Sequence, residues 1–438
     1  MRPITRLRLC LAVFTAGCVG LVSEAAAQTP SGPSRLKVFL DCSTTTTNNN
    51  TNNRSNNSNA SCFAEFLREE ANLVEYVREP AEADVHVIVT ASTTGGGGRE
   101  RVVSFIGNGR FKGTDRALKA LSESGDTEDT ERRRLAAVLK IGLLGYMAQD
   151  GVSTDLEINV EQASARRAGQ PETDPWNKWV ISVQGSVSTQ VEETNRELQL
   201  QGRVGADRIT DTWKLTTGLE IDYRREDFDL DEDEPLRAIR SEREFDGLLV
   251  RSLGEHWSFG TFLSIDSSSF ENIALRSTGG AAIEYNFFPY SSYTRRQLRV
   301  NYAIGPYRAR YVEETLLGKT EETTARQQAS MTLDRREPWG SLRSEFEVST
   351  FLPQWSKYRL EVDGQVDVRI ARGLSFTLEG SASRIRDQLS LPRRGATPEE
   401  VLTRVRRLGT GYEFQLEVGL RYTFGSIFSP IVNPRFGQ

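Results

Sequence analysis

Residues 412–424 read Tyr-Glu-Phe-Gln-Leu-Glu-Val-Gly-Leu-Arg-Tyr-Thr-Phe. Every even position is apolar, and every odd one is polar, charged or glycine. An extended strand turns successive side chains to opposite faces, so this segment has one greasy face and one hydrophilic face. The same period of two recurs about a dozen times after Trp179. In the third repeat Trp213, Leu215, Leu219, Ile221 and Tyr223 alternate with Lys214, Glu220, Asp222 and Arg224. In the tenth, Tyr358, Leu360, Val362, Val366, Val368 and Ile370 alternate with Arg359, Glu361, Asp363, Gln365, Asp367 and Arg369.

In a soluble sandwich the apolar faces would pack on a second sheet. Here the opposite face carries interspersed charges of both signs, which suits the polar interior of a membrane barrel. The pattern therefore predicts a transmembrane antiparallel β-barrel of about 12 strands over residues 176–425. Tyr412, Phe414, Leu416, Val418, Leu420, Tyr422 and Phe424 are expected to face lipid. Arg359, Glu361, Asp363, Asp367, Arg369, Glu413, Glu417 and Arg421 are expected to face the lumen. The alternative is a soluble β-rich secreted protein.

Connection lengths give an independent check. Those after even repeats are tight, such as Ser252-Leu-Gly-Glu255 and Ala371-Arg-Gly373. Those after the third, fifth, seventh and eleventh are longer, such as Phe228 to Ser241 and Leu389 to Leu408. Outer-membrane barrels have short periplasmic turns and longer external loops, so both barrel termini are expected in the periplasm. Trp176, Trp179, Trp213, Trp257 and Trp339 all fall beside the expected periplasmic strand ends, with Phe287, Phe288 and Tyr290 at another. Aromatics favour the membrane interface because their bodies are apolar and their edges polar.

The N-terminus agrees with export. Arg2, Arg6 and Arg8 precede an apolar stretch from Leu9 to Val22, and Ala25-Ala26-Ala27 closes it, so residues 1–27 read as a signal peptide. The alternative, a membrane anchor, is weaker because the stretch is too short to span comfortably. Thr15-Ala16-Gly17-Cys18 resembles a lipoprotein cleavage box but lacks the usual first Leu. A hydrophobic content of 37% matches a soluble chain, and it equally matches a barrel, where only alternate strand residues meet lipid. A net charge of −5 carries no basic excess for nucleic acid.

Cys10 and Cys18 leave with the signal peptide, so Cys42 and Cys62 are the only mature thiols. In an oxidising compartment this pair predicts a disulfide, the alternative being two buried free thiols. Between them, residues 43–61 form a Thr/Asn tract that cannot bury apolar area and is expected to be disordered. Around the tract, residues 35–162 predict a small periplasmic α+β domain of order β-α-β-β-α-β. Its strands are Arg35–Asp41, Asp84–Thr90, Arg99–Ile106 and Asp155–Glu161. Its helices are Phe63–Arg78, ended by Pro80, and Glu131–Gln149, with Leu135, Val138, Leu139, Gly142, Leu143 and Tyr146 on one stripe. Residues 163–175 are a linker, and residues 426–438 a C-terminal periplasmic tail.

Candidate chemistry is sparse. Gly95 to Gly98 precede a strand rather than a helix with a Lys-Ser/Thr pair, which makes them a hairpin turn rather than a phosphate loop. Asp227, Asp229, Asp231, Glu232, Asp233 and Glu234 form an acidic loop, and calcium is the competing reading of its carboxylates. His86 and His256 are the only histidines. His86 faces either solvent or a polar seam, and His256 sits at a periplasmic turn beside Trp257. A membrane phospholipase needs a Ser-His pair in the outer half of the wall, so His256 is at the wrong end. No nucleophile, metal set or cofactor motif stands out, and no enzyme activity is expected. Thr397-Pro-Glu-Glu400 is a good helix start with a capping box. Arg404, Arg406 and Arg407 near that helix's end suit its dipole, the alternative being a loop that folds inward or binds anionic lipopolysaccharide.

Residues 385–400 (Ile-Arg-Asp-Gln-Leu-Ser-Leu-Pro-Arg-Arg-Gly-Ala-Thr-Pro-Glu-Glu) and 422–436 (Tyr-Thr-Phe-Gly-Ser-Ile-Phe-Ser-Pro-Ile-Val-Asn-Pro-Arg-Phe) resemble the C-terminus of a group of bacterial outer-membrane β-barrel proteins of uncharacterised activity. Val38-Phe-Leu-Asp-Cys42, Tyr76-Val-Arg78 and Ala83-Asp-Val-His-Val-Ile-Val-Thr90 look like their periplasmic domain. A fainter likeness, to the small α/β domain of TolB-type proteins, rests on layout alone. The resemblance implies a location and no functional residues. A structural or porin-like barrel is thus expected, with outer-membrane lipid, the barrel-assembly machinery and a periplasmic envelope protein as partners. A narrow solute channel and an envelope enzyme are the alternatives.

Overall fold

The computed structural model of the protein describes residues 35–42, 62–149, 174–228, 236–371, 374–395 and 408–422. The expected signal peptide, the Thr/Asn tract, the strand at 155–161, linker residues 163–173, the helix from Thr397, Phe424 and the C-terminal tail lie outside the described residues.

Twelve strands follow one another: β6 Trp179–Val191, β7 Asn195–Ile209, β8 Trp213–Phe228, β9 Leu236–Ser252, β10 Trp257–Ser268, β11 Ile273–Asn286, β12 Arg296–Tyr311, β13 Glu321–Glu337, β14 Gly340–Leu352, β15 Tyr358–Ala371, β16 Leu374–Ile385 and β17 Tyr412–Tyr422. Each pairs antiparallel with its neighbour in sequence, so the sheet is a plain up-and-down meander in the order β17 to β6. The shortest, β17, has 11 residues, and a tilted strand needs only about 9–11 to cross a bilayer.

The register explains why alternation in sequence becomes one continuous face. Trp257, Tyr285, Val300, Met331, Phe346, Val362, Ala382 and Phe414 are successive cross-strand partners from β10 to β17. One residue along, Ser258, Glu284, Asn301, Ser330, Glu347, Glu361, Ser383 and Glu413 form the matching polar row. Val183, Val204, Leu219, Phe245 and Ile265 continue the apolar face through β6 to β10. A slip of one residue in any pair would put a charged row into the apolar band, so the pattern fixes the register.

Among the described residues β6 and β17 are each paired on one side only. Val187 and Leu420 at these edges are 72% and 70% exposed, against 38% for Phe346 inside the sheet.

The connections divide as expected only in part. The turns 210–212 and 338–339 at one end are tight, and Gly254 in the β9–β10 turn takes φ 105°, which favours glycine. The connection 287–295 at that same end is longer than 269–272 at the other, against the expected alternation. It is folded into a 3₁₀ turn at Tyr290–Ser292, with Tyr290 donating to Glu284 at 2.7 Å. Asp227 is not in a loop: it is the penultimate residue of β8 and pairs with Arg225 and Arg237, both at 2.7 Å. Residues 229–235, the rest of that acidic segment, lie outside the described residues. Trp213 and Trp257 open their strands at the turn end, as does Trp179, while Trp176 precedes β6 and Trp339 sits in the β13–β14 turn. The sixth tryptophan, Trp355, lies at the opposite end between β14 and β15.

The smaller sheet has the order β2-β1-β3-β4-β5, from β1 Lys37–Asp41, β2 Glu75–Tyr76, β3 Val85–Thr93, β4 Arg99–Gly107 and β5 Arg116–Ser122. Val38, Leu40, Val85, Val87, Val89, Val103 and Phe105 share one face with Leu135, Leu139, Leu143 and Tyr146 of helix α2 (Glu128–Gln149). Each such side chain contributes about 1.5–3 kcal/mol of burial. Helix and sheet approach so closely that a Cβ on Gly142 would fall 1.9 Å from the Phe105 ring.

Two elements differ from expectation. The first helix, α1 (Ala64–Glu70), stops well short of Arg78. The amides of Glu75 and Val77 donate to Leu36 and Val38 carbonyls at 2.9 Å, so ladder bonds to β1 replace further helix turns. Strand β5 forms where the sequence carries no strand signal, since Arg-Ala-Leu-Lys-Ala-Leu-Ser has alanines and no β-branched residue.

Cys42 and Cys62 are joined by a disulfide, with Cα atoms 5.5 Å apart. Reduction is expected to destabilise this domain by about 3 kcal/mol, the loop-closure value for a span of this order. Amide exchange in β1 and β3 should then accelerate by roughly 100-fold while β6 to β17 stay unchanged. Unaltered exchange after reduction would remove the stabilising role.

Candidate functional site

The polar rows define one face, and ion pairs lock their side chains. Arg203 bonds Glu220 at 2.6 Å, Arg224 bonds Glu197 at 3.0 Å, and Arg276 bonds Asp266 at 2.8 Å. Arg359 reaches Glu361 at 3.1 Å and Asp387 at 3.0 Å. Of the other expected lumen residues, Asp363 stands opposite Glu345 and Ser381, Glu417 opposite Glu379, Glu413 opposite Ser383 and Arg421 opposite Ser375. Asp367 accepts bonds from Thr377, Gln365 and Ser341. Tyr412, Phe414, Leu416, Val418, Leu420 and Tyr422 share the other face of β17, and all are exposed.

The segment after β16 gives this face its shape. From Ile385 the chain runs through Asp387, which accepts from Arg359, to Ser390, whose carbonyl takes a bond from Asn272 Nδ2 at 2.9 Å. Asn272 directly precedes β11, five strand steps from β16 in the sheet. Five steps across a flat sheet are about 24 Å, whereas five extended residues span about 17 Å. The sheet is therefore curled, and the segment runs across its hollow side.

Further bonds fasten it there. Leu316 donates to Leu391 O at 2.8 Å, Arg393 N donates to Glu314 O at 2.7 Å, and Thr315 bridges Pro392. Arg393 also pairs with Glu314 at 3.0 Å. Leu389, 3% exposed, packs with Tyr307, Ala309, Tyr311 and Phe351, all of the inward parity. Asn272 additionally donates to Glu313 O at 3.1 Å and accepts from Glu313 N at 2.8 Å. Its φ of 61° is a left-handed conformation that Asn tolerates better than most residues.

A cavity of about 400 Å³ remains beneath the segment. Glu244, Asp266, Arg276, Arg326, Arg359 and Glu361 line it from the wall, and residues Asp387–Leu391 roof it. Such a space admits water and small polar solutes. Among the described residues no grouping of three His, Cys, Asp or Glu side chains is arranged to hold a metal. His256 Nδ1 lies 2.7 Å from Asn286 O at the turn end, and His86 is fully buried in the smaller domain. Burial pushes the Tyr290 hydroxyl, outside the strands, up to about 12.

Sequence reasoning missed Asn272, and it offered an inward fold of the loop after β16 only as an alternative. Neither has periodicity, and the crossing pairs residues 118 positions apart. The charged parity was the only legible part.

No protein-family model matches the chain, and no curated protein matches it. Solved structures similar to it include two autotransporter domains. The beta domain of the Bordetella autotransporter Brka is 11% identical, the match covering 56% of this chain and 98% of that one, with a TM-score of 0.25. The translocator domain of the autotransporter NalP from Neisseria meningitidis is 13% identical, covering 56% and 88%, with a TM-score of 0.22. No helix among the described residues is long and apolar enough to cross a membrane, which says nothing of a β-barrel.

Proposed function

We propose that the protein is an outer-membrane β-barrel, porin-like or structural, whose lumen is constricted by its own segment 386–395. The observation that carries this reading is the pair of adjacent rows, one apolar and one polar, running unbroken over eight strands. In water such an apolar band would be a large exposed patch. In a bilayer it is the lipid-facing surface, and β6 and β17 close on each other because unpaired strand edges are too costly there. Outer-membrane lipid is then the solvent, and the barrel-assembly machinery the route of insertion. The α+β domain lies in the periplasm, within reach of another envelope protein. No catalytic role is proposed. The cavity beneath the segment favours a narrow solute path as the second reading.

The full-length protein is expected in the outer-membrane fraction, with a folded band that shifts on heating before electrophoresis. Recovery in the soluble periplasmic fraction without detergent would end the proposal.

A further inference from the structure

The smaller sheet has two faces, and α2 covers only one. On the other face Asp41, His86, Ile88, Thr90, Val102 and Ser104 are each at most 5% exposed. Side chains of a one-helix-layer sheet are left that dry only when something lies over them. Contacts from this face run to the turn end of the large sheet. Asp41 Oδ2 accepts from Arg369 at 2.7 Å, and the Arg369 guanidinium stands 5.1 Å from the Phe39 ring. Tyr293 donates to Glu100 at 3.2 Å and also bonds Ser92, the cross-strand partner of Glu100. At the β3–β4 hairpin, Gly95 lies so near Ile209 that a Cβ there would fall 2.6 Å from the Ile209 Cβ.

The three contact points on the large sheet are far apart around it. Ile209 ends the second of its twelve strands, Tyr293 lies between the sixth and seventh, and Arg369 is in the tenth. On a curled sheet, points so distributed surround the mouth rather than one side of it. A body that touches all three lies across the opening.

Resting on the barrel reading above, we infer that the α+β domain is a lid on the turn-end mouth of its own barrel. Arg369, held between Asp41 and Phe39, and Tyr293 on Glu100 are its latches. Asp41 ties the latch into the domain's interior, since its Oδ2 also stands 3.4 Å from His86 Nε2. A latched lid separates the lumen from the periplasm, so passage at that end requires the domain to lift. The covered face is then unavailable to a periplasmic partner until it does.

The test labels full-length protein in detergent with a water-soluble maleimide, using Val102→Cys on the covered face and Val103→Cys under the helix as separate reporters. Cys42 and Cys62 are paired and silent, and Cys10 and Cys18 belong to the expected signal peptide, absent from the mature protein. With intact latches both reporters are expected to react slowly. Adding Arg369→Ala and Tyr293→Ala should speed labelling at position 102 by about tenfold or more, as local opening becomes easier, and leave position 103 slow. Rapid labelling at 102 with the latches intact overturns the lid, as does no change on removing them. A parallel rise at 103 also overturns it, because the domain is then unfolding rather than lifting. The heat-dependent band shift, read on the same samples, reports the barrel by itself, so failure of that reading appears as loss of the shift and not as a labelling change.

Discussion

Leu416→Arg is expected to abolish accumulation of folded protein in the outer membrane, while Glu417→Arg leaves it near the wild-type level. Leu416 shares its face of β17 with Phe414 and Val418, and it stands opposite Gly380. A charge on the lipid face near mid-membrane costs about 2–4 kcal/mol, roughly two orders of magnitude in the insertion equilibrium. Glu417, one residue on, faces Glu379 across the β16–β17 pair. An arginine there meets a carboxylate rather than hydrocarbon, and like charges directly opposite are replaced by unlike ones. The folded, heat-shifted band in isolated membranes gives the yields. Equal yields for wild type and both variants would remove the assignment of faces.

The second large effect concerns conduction. With the lid latches removed (Arg369→Ala and Tyr293→Ala), replacing residues 386–395 by a short Gly/Ser linker is expected to raise the single-channel conductance in planar bilayers several-fold over the latch variant alone, because the opening is set jointly by strand number and what fills the interior. Asn272→Ala should produce a smaller, flickering increase. It deletes the side-chain bonds to Ser390, to Glu313 O and from Glu313 N, each worth about 1 kcal/mol net and more where a partner is left buried. Arg393→Ala, which loses only an exposed pair with Glu314, should change little. If the linker variant conducts no better than the latch variant alone, the segment is not the constriction.

The contrast between what was legible and what was not follows from the range of each signal. Alternation between adjacent residues is local, so twelve strands, their faces and the α2 stripe could be read directly. The failures are cases where a distant partner decides the structure. Glu75 and Tyr76 leave the helical pattern because β1 offers them ladder bonds. Arg386 to Leu391 has no pattern, yet it is fixed by Asn272, Leu316 and Tyr307 far away in sequence. The parity of Arg369 predicts a lumen residue and gives no hint of Asp41 as its partner. A charged residue at a strand end is equally suited to solvent, lumen or a neighbouring domain, and only the fold selects among them.

The strap from Ile385 to Arg393 has a mechanical consequence. It is a chord drawn across a hoop, tied at Asn272 and Glu314 on one side and at β16 on the other. A hoop without a chord widens, flattens or gapes at its seam by small hinging at every rung, with no single bond resisting. With a chord in place, the diameter and the obstruction are the same object, and any widening strains the ties at Asn272 first. In the proposed barrel, aperture and rigidity therefore cannot be tuned separately: whatever frees the passage also slackens the frame.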